Sequence, residues 1–232
     1  MNIYYAPPTQ IRSGQAELKG QEAVHASKVM RIRPGEGLTL VDGRGGRYQG
    51  KVRDVAKNRV LVDIEDHKQI PEPRPQLILG MGIIKKRDRL EFAVEKAVEL
   101  GARHILLIRS ERCIKKNVRL DRLESIALSA MKQSLRSWLP EVSMVHSLKE
   151  TINQFPKARI LMAHEEVSGG ASNYAAAYNK EDQVLLLVGP EGGFTPKEVE
   201  YVADAGAELI SLGHHRLRAE TAVTAVMSPF LK

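Results

Sequence analysis

The fold is decided by Val184-Leu185-Leu186-Leu187-Val188-Gly189-Pro190-Glu191-Gly192-Gly193-Phe194-Thr195-Pro196-Lys197-Glu198. The opening apolar run is a buried strand. At the other end Thr195 is a good N-cap, Pro196 suits the first helical position, and Glu198 completes a Thr-x-x-Glu capping box. A helix therefore opens there, and Gly206 stops it. Between strand and helix lie three glycines, a proline and the carboxylate of Glu191. Ligands of open α/β sheets bind at the carboxyl ends of strands, and glycine lets a ligand approach the backbone. A tight turn that needs glycine only for geometry is the alternative. The density of glycine favours a site.

The same alternation extends in both directions. Leu77 to Ile84 is a near-continuous apolar run, His104 to Ile108 a second strand, and Ile160 to Ala163 and Leu209 to Leu212 two more. Helices are predicted from Arg89 to Leu100, with Leu90, Val94, Ala97 and Val98 on one face, and from Leu120 to Arg136. Alternating strands and helices predict an α/β domain with a mostly parallel sheet covered on both sides. Before it, Ile70-Pro71-Glu72-Pro73-Arg74-Pro75 forbids regular helix or central strand. The expected organisation is a domain over residues 1–70, a linker over 71–75 and a second domain over 76–232.

The first domain reads as short strands, with Leu38 to Val41 and Val60 to Ile64 close to a period of two. A short helix is expected around His25 to Arg31. Asp42-Gly43-Arg44-Gly45-Gly46-Arg47 is a hairpin tip. Arg44 and Arg47 there are either RNA-phosphate contacts or part of a solvated turn. No aromatic stacking platform is apparent in this half.

Composition bounds the rest. The 232 residues are 43% hydrophobic and 27% charged, as in a folded chain with a real core. Lys and Arg outnumber Asp and Glu by 35 to 28, a net charge of +7, which suits a polyanionic partner without requiring one. A single cysteine, Cys113, excludes a disulfide framework and a Cys-rich metal site, and reads as a small hydrophobe past a buried strand. No run of eighteen apolar residues occurs and the first residues do not resemble a signal peptide, so a cytoplasmic protein is expected.

Spacing removes two nucleotide-site alternatives. There is no Gly-x-x-x-x-Gly-Lys-Ser/Thr, and no Gly-x-Gly-x-x-Gly after a first strand; Gly80-Met81-Gly82 lies inside a strand and is a packing feature. A second candidate loop, Leu212-Gly213-His214-His215-Arg216-Leu217-Arg218, follows another strand and precedes the small-residue helix from Ala219 to Val226. It is either a basic turn before a core helix or part of the same site. His214 and His215 lack a third ligand at metal-binding spacing, so no metal is expected.

These two loops, with Glu95-Lys96, Glu99-Leu100-Gly101, Ser110-Glu111-Arg112, Gln133-Ser134, Arg136 and Glu220-Thr221-Ala222, resemble the RsmE family of the SPOUT RNA methyltransferases over essentially the whole chain. The resemblance implies a C-terminal SPOUT domain with a deep trefoil knot and an N-terminal PUA-like β-barrel. It implies S-adenosylmethionine-dependent methylation of N3 of a uridine in 16S ribosomal RNA, within the small subunit, by a homodimer. Val188, Gly189, Glu191, Gly192, Gly193, Leu212, Gly213, Leu217, Arg218 and Thr221 would hold the cofactor. Arg218, Arg136 and Arg112 would stabilise the uracil anion, with Glu191 as base or cofactor contact and Glu220 pairing with an arginine. Arg31, Arg44, Arg47 and Arg216 would contact RNA. The chain departs from the family pattern at Lys132, His215 and Arg216, which concerns the RNA-facing cations more than the cofactor. Two other functions fit the same residues: a non-catalytic RNA-binding assembly factor, and methylation of a ribose 2′-oxygen.

Overall fold

The computed structural model describes residues 3–115, 117–165, 167, 174 and 183–231. They fall into two units, Met1–Glu72 with Met131–Leu139, and Pro73–Ala130 with Pro140–Lys232.

The first unit is a six-stranded mixed sheet. Its strands are β1 (Ile3–Tyr5), β2 (Ile11–Arg12), β3 (Gln15–Lys19), β4 (Gly37–Val41), β5 (Gly46–Ala56) and β6 (Arg59–Gln69), in the order β1-β4-β5-β6-β3-β2. β1 runs parallel to β4 and the other ladders are antiparallel. Leu18, Leu40, Val60 and Val62 fill the core, and the alternation seen in the sequence is their inward-facing set. Helix α1 (Gly20–Val24) continues through a wider turn at His25–Val29. It thus begins and ends earlier than the expected span to Arg31, which lies beyond it at φ 53°. Its buried residues are the small Ala23 and Ala26, too weak an apolar stripe to mark its start.

The backbone of the hairpin tip after β4 is covered, although Arg44 itself is exposed. Asp42 Oδ1 accepts the N–H groups of Arg44 at 2.7 Å and Gly46 at 2.9 Å, and its Oδ2 accepts the Tyr48 hydroxyl at 3.1 Å. Residues 131–139 close over the turn: Gly45 N donates to Ser137 O at 2.9 Å and Leu139 N to Gly43 O at 3.0 Å. Trp138 Nε1 donates to Ile70 O at 3.1 Å. A Cβ on Gly45 would lie 2.8 Å from Trp138 Cε2, so glycine serves close approach here as well as a turn.

The second unit contains β7 (Gln76–Gly82), α2 (Arg87–Glu99), β8 (Ala102–Ile108), α3 (Leu120–Gln133), β9 (Glu141–Val145), α4 (Leu148–Gln154), β10 (Arg159–Ala163), β11 (Gln183–Val188), α5 (Pro196–Asp204), β12 (Glu208–Ile210) and α6 (Ala219–Met227). Its sheet is entirely parallel, in the order β12-β10-β11-β7-β8-β9. Ile78, Leu106 and Leu185 join α4 and α5 residues in one core cluster. Their strand neighbours Leu79, Leu107 and Leu186 point the other way and are equally buried, so both faces are covered. The predicted strands are all present; the edge strand β9 and α4 are additional.

Helix α3 stops at Gln133, before the expected Arg136, because Leu135 adopts φ 57° and turns the chain out of the helix. Its last turn already belongs to residues 131–139 of the first unit. There Lys132 pairs with Glu22, whose Oε2 accepts the Tyr5 N–H at 3.0 Å. Among the described residues, no helix is long and apolar enough to cross a membrane.

Candidate active site

Within the second unit, the loops leaving β10, β11 and β12 enclose a cavity of about 1090 Å³ at the carboxyl edge of the sheet. This is where a parallel α/β sheet exposes backbone that is not committed to its ladders.

Four side chains fix the β11 loop. Thr195 Oγ1 accepts the Glu198 N–H at 3.2 Å, and Glu198 Oε2 accepts the Thr195 N–H at 2.8 Å, completing the capping box. Glu198 Oε1 also accepts the Glu111 N–H at 3.0 Å, joining the loop to the one after β8. Arg112 Nη1 donates to Gly192 O and Phe194 O, and Glu191 Oε1 accepts the Lys85 N–H at 2.9 Å. The acidic and basic residues of the Ser110-Glu111-Arg112 motif thus meet the glycine loop through backbone and side chain alike.

Gly82 explains how β7 and this loop come so close. A Cβ there would lie 2.5 Å from Pro190 N, and one on Gly80 would lie 2.7 Å from Leu187 Cδ2. The packing role expected of the Gly80-Met81-Gly82 run is therefore present.

The β12 loop forms the facing wall. Gly213 adopts φ 120° and Gly193 φ 68°, and around each the space a Cβ would occupy is open. Arg218 is the N-cap residue of α6; it is exposed, and its guanidinium has no hydrogen bond or ion pair among the described residues. Arg216 Nε instead lies 3.3 Å from Glu165 Oε2 at the end of β10.

The cavity brings together Val188, Gly189, Glu191, Gly193, Leu212, Gly213, Leu217 and Arg218, with Arg112 and Arg216. Gly192 is not in its wall; it is exposed, and a Cβ there would lie 3.3 Å from Arg112 Cβ. Thr221 is also outside the wall and exposed. Arg136 belongs to the first unit, as do Arg31, Arg44 and Arg47; Arg47 Nη1 donates to Leu135 O at 3.4 Å. Glu220 does pair with an arginine, and that arginine is Arg89 of α2.

Arg89, Ala163, His164, Glu165 and Glu200 also line the cavity and were not anticipated. The residues at the end of β10 could have been found by applying the strand-end rule to every parallel strand. Arg89 carried no such signal, since it sits on a helix remote in sequence from both loops.

Comparison with known proteins identifies two regions. Residues 71–230 match the model of an RNA methyltransferase domain, and residues 18–65 that of an RNA methyltransferase PUA domain. The chain is 31% identical over 236 positions to ribosomal RNA small subunit methyltransferase E of Mycobacterium tuberculosis, covering 97% of this chain and 89% of that protein. It is 29% identical over 229 positions to the enzyme of that name from Rickettsia conorii, covering 97% and 93%. Among solved structures, ribosomal RNA small subunit methyltransferase E of Neisseria gonorrhoeae, bound to S-adenosyl methionine, superposes with a TM-score of 0.84 at 29% identity, covering 98% of this chain and 95% of that one.

Proposed function

Because the chain belongs to the ribosomal RNA small subunit methyltransferase E family, we propose that it transfers a methyl group from S-adenosylmethionine to 16S ribosomal RNA, with N3 of a uridine as the acceptor. The observation that carries this reading is the cavity between the β11 and β12 loops, with Arg218, unpaired among the described residues, at its side.

The residues present fit the cofactor. The volume of about 1090 Å³ is just above the usual range for a small-molecule site, roughly 300–1,000 Å³, and accommodates a nucleoside with an amino-acid tail. Val188, Leu212 and Leu217 offer apolar walls, while the open space beside Gly193 and Gly213 leaves backbone accessible. Bound there, the cofactor supplies a methyl group already activated by its sulfonium. The protein's task is then positioning and charge stabilisation.

Uridine N3 carries a proton that must pass to water or to a general base before the nitrogen lone pair can attack. The anion that results is spread over the two uracil oxygens, and a fixed cation beside them lowers the barrier. Arg218 suits that role because its guanidinium is uncommitted. Arg112 is already committed to two loop carbonyls, so its part is to shape the wall. Glu191 lines the cavity while holding the Lys85 N–H, which suits it to ordering the loop and contacting the cofactor.

In this reading residues 1–70 hold RNA, with the exposed Arg31 and Arg44 available to phosphates, and the connection at 71–75 leads into the catalytic domain. Arg216 and Arg218 stand exposed at the cavity, where a second copy can complete the site; a cytoplasmic homodimer acting on the small subunit belongs to the proposal.

The test is transfer of a labelled methyl group to small subunits lacking the uridine N3 mark, followed by nucleoside analysis. Recovery of 3-methyluridine supports the proposal. A 2′-O-methyl nucleoside would overturn the acceptor atom, and RNA binding without transfer would overturn the enzymatic reading.

A further inference from the structure

Arg89 lines the same cavity as Arg218, and its surroundings are unusual. Its Nε lies 3.4 Å from Glu220 Oε1, with the side chains 25% and 12% exposed. The other carboxylate oxygen, Glu220 Oε2, is buried and has no hydrogen-bond partner among the described residues. Nor do the two terminal nitrogens of Arg89 have one among the described residues. The pair joins α2 to α6, which pack directly on each other, and Glu220 lies two residues beyond Arg218 in the first turn of α6.

As a staple between helices this is a poor arrangement. Withdrawing a carboxylate and a guanidinium from water costs about as much as a well-formed pair returns. Here the contact is long, and one oxygen returns nothing. Apolar residues would join two packed helices better. What the arrangement does achieve is orientation. Nε is turned toward α6, and the guanidinium as a whole is held at the cavity wall.

We propose that Glu220 is a positioning residue, and that it fixes Arg89 so that the terminal guanidinium nitrogens receive an oxyanion of the bound reactants. This rests on the methyltransferase reading of the cavity. Two oxyanions have the required chemistry: the carboxylate of the cofactor's methionine moiety, and a phosphate of the target strand. A guanidinium binds either one through two parallel N–H donors. Among the cavity's arginines Arg216 faces Glu165, Arg112 is committed to carbonyls and Arg218 is assigned to the uracil anion, which leaves Arg89 for a second oxyanion.

The experiment uses the intact protein and the variants Arg89→Ala, Arg89→Lys and Glu220→Gln. Calorimetry measures binding of S-adenosylmethionine and of 5′-methylthioadenosine, which lacks the amino-acid carboxylate. Transfer assays on small subunits measure kcat and KM. If the carboxylate is the ligand, Arg89→Ala weakens S-adenosylmethionine about tenfold or more and leaves methylthioadenosine unaffected. If the phosphate is the ligand, both small molecules bind as before, KM for the subunit rises about fivefold or more, and its salt dependence becomes shallower. In either case Glu220→Gln moves the same quantity in the same direction by a smaller factor, and Arg89→Lys restores part of it. Equal weakening of both small molecules with a lowered melting temperature would mean a structural staple and overturn the proposal, as would wild-type constants in Arg89→Ala. A wild-type protein that neither binds S-adenosylmethionine nor transfers methyl would instead remove the underlying reading, and this proposal with it.

Discussion

Arg112 Nη1 donates to the carbonyl of Gly192 at 2.8 Å and to that of Phe194 at 3.2 Å, so one guanidinium holds both sides of the turn that walls the cavity. Hydrogen bonds from a charged donor are worth about 1.5–3 kcal/mol when well shielded, and about half that at this exposed position. Arg112→Ala should weaken cofactor binding about tenfold while lowering the melting temperature only slightly. Arg112→Lys should restore little, because the shorter lysine stem does not carry its nitrogen to the Nη1 position that serves both carbonyls. Calorimetric affinities within twofold of wild type in both variants would refute the clamp.

Gly82→Ala tests the close approach of β7 to the same loop. The new Cβ would sit 2.5 Å from Pro190 N, and backbone atoms cannot give way as a flexible side chain does. Overpacking of this kind costs about 1–3 kcal/mol. The expected outcome is a lower thermal midpoint together with reduced cofactor affinity, since relief requires moving Pro190 and therefore Gly189 and Glu191. A destabilised variant with undiminished affinity would show that the cavity does not depend on this contact.

Arg218→Ala separates chemistry from binding. A cation that acts on the uracil anion contributes in the transition state more than in the ground state, so kcat should fall about a hundredfold or more. Cofactor affinity should stay within about threefold. Unchanged turnover would take Arg218 out of the mechanism.

The first unit should lose stability in alkali. Burial raises the pKa of Tyr48 above the ordinary tyrosine value, with the charge of Asp42 and its hydrogen bond adding to the shift. Tyr4 is raised by burial and then by Glu22 and Glu36; Tyr5 is raised by burial and then by Asp42, with Arg44 opposing. In the unfolded chain these phenols ionise near pH 10, whereas in the fold they keep their protons to higher pH. Their contribution is therefore complete below about pH 10 and is lost as pH rises through the folded values. Urea melts between pH 8 and about 11 should show that decline, and Asp42→Asn should bring Tyr48 ionisation, followed by ultraviolet absorbance, to lower pH. A flat profile across this range would contradict it.

The architecture of the second unit is legible in the chain because its signals are local. Val184 to Val188 must be buried on both faces, and Thr195-Pro196-Lys197-Glu198 carries its own capping instructions, which the hydrogen bonds reproduce. The cavity loops follow from the rule that ligands meet parallel strands at their carboxyl ends. What escaped depends on partners remote in sequence. Trp138 ends up against Gly45 and Ile70, although nothing near residue 138 announces it. Leu135 interrupts a helix whose apolar periodicity continues to Arg136. The pairing of Arg89 with Glu220 lies across two helices that become neighbours only when the sheet assembles. Even the hairpin tip was half legible: its glycines mark a turn, but not the segment that buries it.

The recruitment of residues 131–139 into the first unit has a consequence for anyone who would cut this protein in two. The chain passes between the units three times, at 72/73, 130/131 and 139/140. A fragment ending at the proline-rich connection would lack Trp138 over Gly45, Ser137 on the hairpin tip and Lys132 beside Glu22, leaving Glu22 Oε1 and the N–H of Gly45 without these partners. The complementary fragment would carry the Trp138 indole without Gly45 and Ile70, the residues it meets in the intact chain. A protease that severs the connection at 72/73 should therefore yield a nicked protein that remains in one piece on a sizing column and separates only in denaturant.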